Sequence, residues 1–312
     1  MQALEAELAR RDAESGGMYY DDPPEWDDTP KFRKYLETCR AGEYRVGLLW
    51  PDLHFPDHND QAIALGDQLE RVVKPDFNMI MGDIYDLDGL GKFGQSRRRK
   101  KQDVLEEVIA PYHRFIERRQ YPTAAIMGNH DGTKSGRMAR ALDDIFAPLA
   151  KTIEEAYVDI IRAGGRVWYL GGMNEIKLNS MILQHGTRTG EYAAKNALKD
   201  RGFGLANVGV HTHFPSLSIL SQDMPGEDDA YRVIMSAVLG TLSNRLPHYQ
   251  QGTRKTRHIH CMGVATFSLR TWVANVELVV FHPAPNGDLV AFYGGHILTE
   301  PAVKLHVVKK AA

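Results

Sequence analysis

The sequence predicts one α/β domain built of mixed sheets. Three observations lead there. From residue 43 to residue 127, short apolar runs alternate with stretches of helical spacing, the pattern of parallel βαβ units. The C-terminal quarter is richer in strand-like runs. Finally, the predicted strands end in acids, amides or imidazoles, and in such folds ligands gather at the carboxyl edge of parallel strands.

Residues 2–13 suit a short helix, which "SGGMYYDDPPEWDDTP" then breaks with Gly, Pro and acids. "KFRKYLETCRA" (31–41) has the spacing of a helix leading into the body. "EYRVGLLW" is a strand, and "NDQAIALGDQLERVV" has the helical spacing of Ile63, Leu65, Leu69 and Val72–Val73. A second strand "FNMIM", a second helix "VLEEVIAPYHRFIERR" and a third strand "TAAIM" follow. Later come "RVWYL", "IKLNSMILQHG", a helix "GEYAAKNALKDRG" and the strand "LANVGVHTH". The runs "VELVVFHP", "LVAFYGG" and "VKLHVV" close the chain, with the turn "APNGD" joining two of them. No repeat or low-complexity segment divides the body. We place an acidic N-terminal arm, partly irregular with short helices, at 1–41 and the domain at 42–312.

The 312 residues and 43% apolar content suffice for a sizeable core. The net charge of −2 exerts no overall pull on nucleic acid or membrane. It hides a split. Residues 1–30 carry nine acids and two bases, about −7; of the 38 bases and 40 acids in the whole chain this leaves 36 and 31, a body of +5. Two cysteines, Cys39 and Cys261, make no disulfide framework and favour a reducing compartment. With no long apolar run and no signal-like N-terminus, the sequence predicts a cytoplasmic protein without membrane contact. The oligomeric state is not legible.

The polar strand ends carry the chemistry. "GLLWPDLHF" offers Asp52 and His54, two apart and so on one face of extended chain. "MIMGDIYD" offers Asp83 and Asp86; "AAIMGNHD" offers Asn129 and His130; "MILQHG" offers His185; "NVGVHTH" offers His211 and His213. Turn chemistry explains Asn, Asp and Gly in "GNHDG", but not the His. Gathered at one edge, carboxylates, an amide and imidazoles without thiolate suit manganese, iron or zinc. Seven donors exceed one tetrahedral site and suit two metals sharing a carboxylate.

The ordered series Asp52-x-His54, Gly82-Asp83-x-x-Asp86, Gly128-Asn129-His130-Asp131, His185-Gly186 and His211-x-His213 resembles the calcineurin-like metallophosphoesterase superfamily over residues 46 to about 215. The tract "PDHND" is most similar to stand-alone phosphoesterases of phages and bacteria; a phage origin would place the protein in host cytoplasm. The resemblance implies a four-layer α/β/β/α sandwich of two mixed sheets flanked by helices. It implies two divalent metal ions, Mn2+ foremost, with Fe, Zn, Ni or Mg as alternatives. By position, Asp52, His54 and His213 would hold the first metal, Asn129, His185 and His211 the second, and Asp83 would bridge them. His130 would serve the scissile ester and Asp86 would orient it. One departure stands out: the family usually places Gly directly before the first His of the last block, where this chain has Val210 after Gly209.

Around these blocks lie candidate substrate contacts. "SRRRKKQD" places Arg97, Arg98 and Arg99 ahead of two lysines on the connection after the second block, either as a phosphate-binding rim or as a solvated helix start. Arg188 in "HGTRTG" and His58, just beyond the first block, are further candidates. "RHIHC" (His258, His260, Cys261) has metal-like spacing that alternation in a strand also explains. The implied activity is metal-dependent hydrolysis of a phosphodiester, with DNA or RNA as the first choice and a cyclic nucleotide or other small diester as the alternative. A protein phosphatase fits poorly, because "GDIYDLDG" lacks the Asp-Arg-Gly of such enzymes. A non-catalytic metal-binding scaffold is the rival of another class.

Overall fold

Strand β1 (Tyr44–Trp50) runs through the middle of the larger sheet and is buried on both faces. Val46, Leu48 and Trp50 point into one core, Leu49 into another. The structure, a computed structural model, describes residues 27–85, 103–128, 131, 158–170, 175–186, 193–195, 206–223, 231–244 and 258–299. After β1 come helix α2 (Asp60–Val73), β2 (Phe77–Ile80), helix α3 (Asp103–Glu117), β3 (Thr123–Ala125) and β4 (Val167–Tyr169); helix α1 (Thr29–Thr38) precedes β1. β1 to β4 pair in parallel, as the alternation of strand and helix predicts. Four further strands join β1 on its other side, all antiparallel: β10 (Cys261–Ser268), β11 (Ala274–Pro283), β12 (Leu289–Tyr293) and β13 (His296–Thr299). The larger sheet is therefore mixed. Its order is β13-β12-β11-β10-β1-β2-β3-β4.

A second mixed sheet, ordered β5-β6-β7-β9-β8, comprises β5 (Glu175–Leu178), β6 (Met181–His185), β7 (Ala206–Val210), β8 (Ser216–Asp223) and β9 (Tyr231–Val238). The run "IKLNSMILQHG" is thus a hairpin, turned at Asn179 with φ 42°. β8, β9, β10 and β13 had no distinct sequence signal. "VKLHVV" lies outside the described residues, as does most of "GEYAAKNALKDRG", whose residues 193–195 are helical.

Two cores order these layers. α2 and α3 cover one face of the larger sheet, with Ile63, Leu65 and Leu69 meeting Tyr112, Phe115 and Ile116 above Leu48 and Trp50. The other face packs on the second sheet, where Phe77, Met79 and Phe267 meet Met181, Leu183 and Val208. Ala193 and Ala194 rest against Val238 on the far side. This is the predicted layered α/β/β/α arrangement. Among the described residues, no helix is long and apolar enough to cross a membrane.

Helix α2 starts where Asn59 caps it, accepting from the Ala62 amide at 2.9 Å. That cap follows directly on the loop of the first motif block. Helix α1 is fastened differently. Phe32 and Leu36 sink into the second core, and the Arg45 guanidinium donates to the carbonyls of Leu36, Glu37, Arg40, Gly42 and Tyr44. Arg45 is only 1% exposed, so its charge is met by carbonyl dipoles gathered at the helix C-terminus. Asp28, just before α1, accepts from Lys31, from Arg162 and from the Tyr169 amide. Burial alone would raise its pKa; Lys31, the Tyr169 amide and Arg162 hold it below the usual carboxylate value.

Replacing Arg45 by Met removes these donors and leaves carbonyls buried without partners. Arg45→Met should lower the unfolding free energy by about 2–4 kcal/mol and expose α1 to proteolysis first. Denaturant titration with limited proteolysis measures both; a change within experimental error would show that the helix holds without the Arg45 bonds.

Candidate metal centre

The carboxyl ends of β1, β2 and β3 and of the parallel pair β6–β7 open on one rim. Asp52 and His54 follow β1, Asp83 follows β2, His185 ends β6, and His211 and His213 follow β7. The backbone there departs from strand geometry. Eight described non-glycine residues have positive φ, and five are Asp52 (33°), His54 (49°), Asp83 (47°), His211 (111°) and His213 (56°). Asp52 and His54 therefore converge because their loop adopts left-handed conformations, not because extended chain repeats every second residue. Each such residue costs about 1–3 kcal/mol and persists only where its surroundings over-determine it.

Those surroundings are specific. The His54 and Phe55 amides donate to the carbonyls of Asp83 and Ile84, both at 2.8 Å, joining the first two loops. Asp131 joins the second and third: its carboxylate accepts from the amides of Ile84 (2.8 Å), Tyr85 (3.1 Å) and Gly128 (2.9 Å). The His211 amide donates to Asp52 Oδ2 at 3.1 Å, tying the second sheet to the first loop. Two motif glycines are steric requirements. At Gly82 (φ 88°) a Cβ would come within 2.6 Å of the Gly128 nitrogen and 2.8 Å of His185 Nδ1; at Gly128 it would collide with Asp83.

The result is two triads of donors. Asp52, His54 and His213 offer one ligand atom each, all within 4.8 Å of one another, and so do Asp83, His185 and His211. His54 Nε2 faces His213 Nε2 at 3.3 Å, and Asp52 Oδ2 is 3.4 Å from the latter. Asp83 Oδ2 lies between the triads, 3.3 Å from His185 Nε2 and 3.8 Å from His54 Nε2. The Met81 carbonyl accepts from His185 Nδ1 at 3.0 Å, which turns Nε2 toward Asp83 as the nitrogen that would take a cation.

These groups fit divalent cations. Imidazole nitrogens facing one another beside two buried carboxylates are poor company for each other and good ligands for a shared positive charge. Asp52 and Asp83 each face two histidine rings within 4 Å. The crowding is visible in proton affinities. Burial would lower the His185 pKa, yet Asp83 and Asp52 lift it to about 9. Burial and then the His54 and His258 rings hold His213 well below its usual value. Burial and the Asp83 carboxylate push Asp131 up to about 6, against the pull of its three amides. Both cysteines lie elsewhere, Cys261 buried with its thiol pushed up to about 12 by burial.

Six of the seven sequence-predicted ligands thus come together, His211 included despite Val210. The seventh, Asn129, lies outside the described residues, as do His130, Asp86, Arg97, Arg98, Arg99 and Arg188. His58 turns away from the triads: the Pro56 carbonyl accepts from its Nδ1 at 3.1 Å, and its Nε2 is 3.1 Å from Asp60. His258 and His260 precede β10 rather than alternating in it, and donate to the carbonyls of Ser243 (2.6 Å) and Thr241 (3.1 Å). Sequence reading missed Asp131 as the clasp between loops. The one signal was an acid beside a glycine in "GNHDG".

A mixed α/β sandwich with a histidine–carboxylate centre on its strand-end rim defines a class of metal-dependent phosphoesterases. The calcineurin-like phosphoesterase profile matches residues 50–232, and the chain belongs to that family. Among solved structures it is similar to the phosphoesterase Yfce from E. coli, at 14% identity over 74% of this chain and 98% of that one, TM-score 0.34. It is also similar to Vps29 of Chaetomium thermophilum (10% identity, 83% and 100% covered, TM-score 0.39) and to nuclease MPE of Pseudomonas putida (15%, 81% and 87%, TM-score 0.31). No curated protein matches the sequence.

Asp131→Asn exchanges an acceptor oxygen for an amide that must face a backbone N–H. The metal-free protein should lose about 1–3 kcal/mol of stability, read by chemical denaturation. Unchanged stability would show that the other inter-loop bonds suffice to hold the rim.

Proposed function

We propose that the protein is a binuclear metal-dependent hydrolase of phosphodiesters, with DNA or RNA as the substrate. The carrying observation is the place of Asp83: one carboxylate oxygen lies within 4 Å of an imidazole from each triad. A carboxylate so placed serves two cations at once and offsets their mutual repulsion. Two divalent cations bound there, Mn2+ foremost, would neutralise the phosphoryl oxygens and lower the pKa of water from about 15.7 toward 7.

The residues divide the work. Asp52, His54 and His213 would hold one cation, and His185 and His211 with Asn129 would hold the other. His185 is oriented for this by the Met81 carbonyl. The triads are largely buried, and attraction between charges brought there is screened less than in bulk water. His130 donates a proton to the leaving oxygen, a role typically worth ~10²–10⁴-fold, and Asp86 orients its ring. Both roles follow from motif position. The catalytic domain spans 42–312, and helix α1 of the acidic arm docks on it. Two free thiols suit a cytoplasmic setting.

Two basic stretches in the sequence support a polynucleotide: Arg97–Lys101, and Arg254, Lys255 and Arg257 in "TRKTR". A small diester needs neither.

Two experiments test the reading. Reconstituted with Mn2+, the wild-type protein should hold two metals per chain, and Asp83→Asn should weaken both; elemental analysis giving one metal or none for the wild type would overturn the binuclear centre. Changing Arg97, Arg98 and Arg99 together to Gln should raise KM for polynucleotides and reduce the salt slope by roughly 0.7–0.9 for each phosphate no longer neutralised. Hydrolysis of a small chromogenic diester should persist, since weakening ground state and transition state equally changes KM alone. No effect on either substrate would favour the small-molecule diesterase.

A further inference from the structure

A segment beyond the matched residues 50–232 closes around the first triad. Residues 241–244 run alongside the loop that carries Asp52 and His54. Thr241 Oγ1 and the Leu242 amide both donate to the Asp52 carbonyl, at 2.9 and 3.2 Å. Ser243 Oγ donates to the Asp57 carbonyl at 3.0 Å, and the Asn59 amide to the Leu242 carbonyl at 2.7 Å. Residues 258–260 fasten the same strap to the other side of the triad. The Ile259 amide donates to the His213 carbonyl at 3.0 Å, and the Thr241 amide to the Ile259 carbonyl at 3.1 Å. Two short segments, 241–244 and 258–260, bonded to each other through Thr241 and Ile259, therefore reach both Asp52 and His213, which follow strands of different sheets.

His258 completes the arrangement. Its Nε2–H donates to the Ser243 carbonyl at 2.6 Å, which locks its ring on the strap. That ring stands edge-on to His213, with centroids 5.5 Å apart and planes at 61°. The orientation of His213 needs such support. A metal-binding histidine almost always donates its second ring N–H to a carboxylate or carbonyl, and that bond fixes the ring. His185 has such a partner in the Met81 carbonyl; His213 Nδ1 is buried and has no hydrogen-bond partner among the described residues.

We propose that His258 is the positioning residue of the first metal site, setting the His213 ring by aromatic packing where the usual hydrogen bond is lacking, with Thr241 holding Asp52 in register. This rests on the binuclear reading above. The strap thereby tunes one metal site and leaves the other alone, because Asp83, His185 and His211 make none of these bonds.

The test is stepwise Mn2+ titration of the metal-free full chain, with metal counted by elemental analysis and the apo Tm recorded for each variant. His213→Ala supplies the reference for a protein lacking the first site. His258→Ala should weaken one of two sites by 10–100-fold, leave the other within about threefold and barely move the apo Tm. His258→Phe, which keeps a ring against His213 but has no N–H for Ser243, should restore the weakened site to within about threefold of wild type. Thr241→Val should weaken the same site. Wild-type affinity at both sites in His258→Ala would overturn the proposal. So would equal loss at both sites with a fall in apo Tm, which would make the strap merely structural, or a His258→Phe variant as weak as His258→Ala in a folded protein. Failure of the binuclear reading would show separately, as a wild-type chain that binds fewer than two metals, and would remove the proposal with it.

Discussion

The rim depends on how closely the backbone after β2 can approach the backbone after β3. Gly82 and Gly128 meet at a distance that admits no side chain, and the Asp131 carboxylate clamps the approach by taking amides from both loops. Everything downstream follows from that approach. It sets the left-handed turn at Asp83, brings the Asp83 carboxylate beside His185, and leaves the Met81 carbonyl where it orients the His185 ring. The two sheets then share a site through the carboxylates of Asp83 and Asp52.

The arrangement concentrates unfavourable terms in one place. Five residues hold left-handed backbone, two carboxylates are buried together, and imidazole nitrogens face each other. The surrounding cores supply the compensation. β1 is packed on both faces, and the buried aromatic and aliphatic side chains of α2, α3 and the second sheet hold the strand ends in place. A rigid double core tolerates a strained edge; a loop-borne site of the same composition would relax.

Much of this was legible in the sequence, and the exceptions have physical reasons. The parallel strands β1 to β3 and helices α2 and α3 announced themselves by period, and the ligands by chemistry at strand ends. Strand periodicity does not account for the placing of these side chains, because Asp52, His54, His211 and His213 all lie past their strands: Asp52 and His54 converge through positive φ, and His211 and His213 serve different triads. β8 and β9 escaped notice because "SLSILSQD" and "YRVIMSAV" mix polar and apolar residues as an antiparallel sheet with one open face does. The strap was invisible for another reason. Its bonds to Asp52 and His213 use backbone groups, which any sequence offers, and one threonine hydroxyl that belongs to no motif.

The N-terminal helix carries a consequence of its own. Beside the packing of Phe32 and Leu36, a clasp at each end helps to hold it, and the two obey different rules. The Asp28 clasp depends on a carboxylate with a depressed pKa, so its contribution is complete above the ordinary carboxylate range and fades as acid protonates it. The Arg45 attachment has no titrating partner: a permanently charged guanidinium meets carbonyl oxygens that neither ionise nor exchange counter-ions. Buried from the ion atmosphere, it is also little screened by salt. Acidification therefore loosens the Asp28 clasp at the N-terminal end of α1 while the C-terminal turn of that helix stays anchored, so the two ends of one short helix answer to different solution conditions.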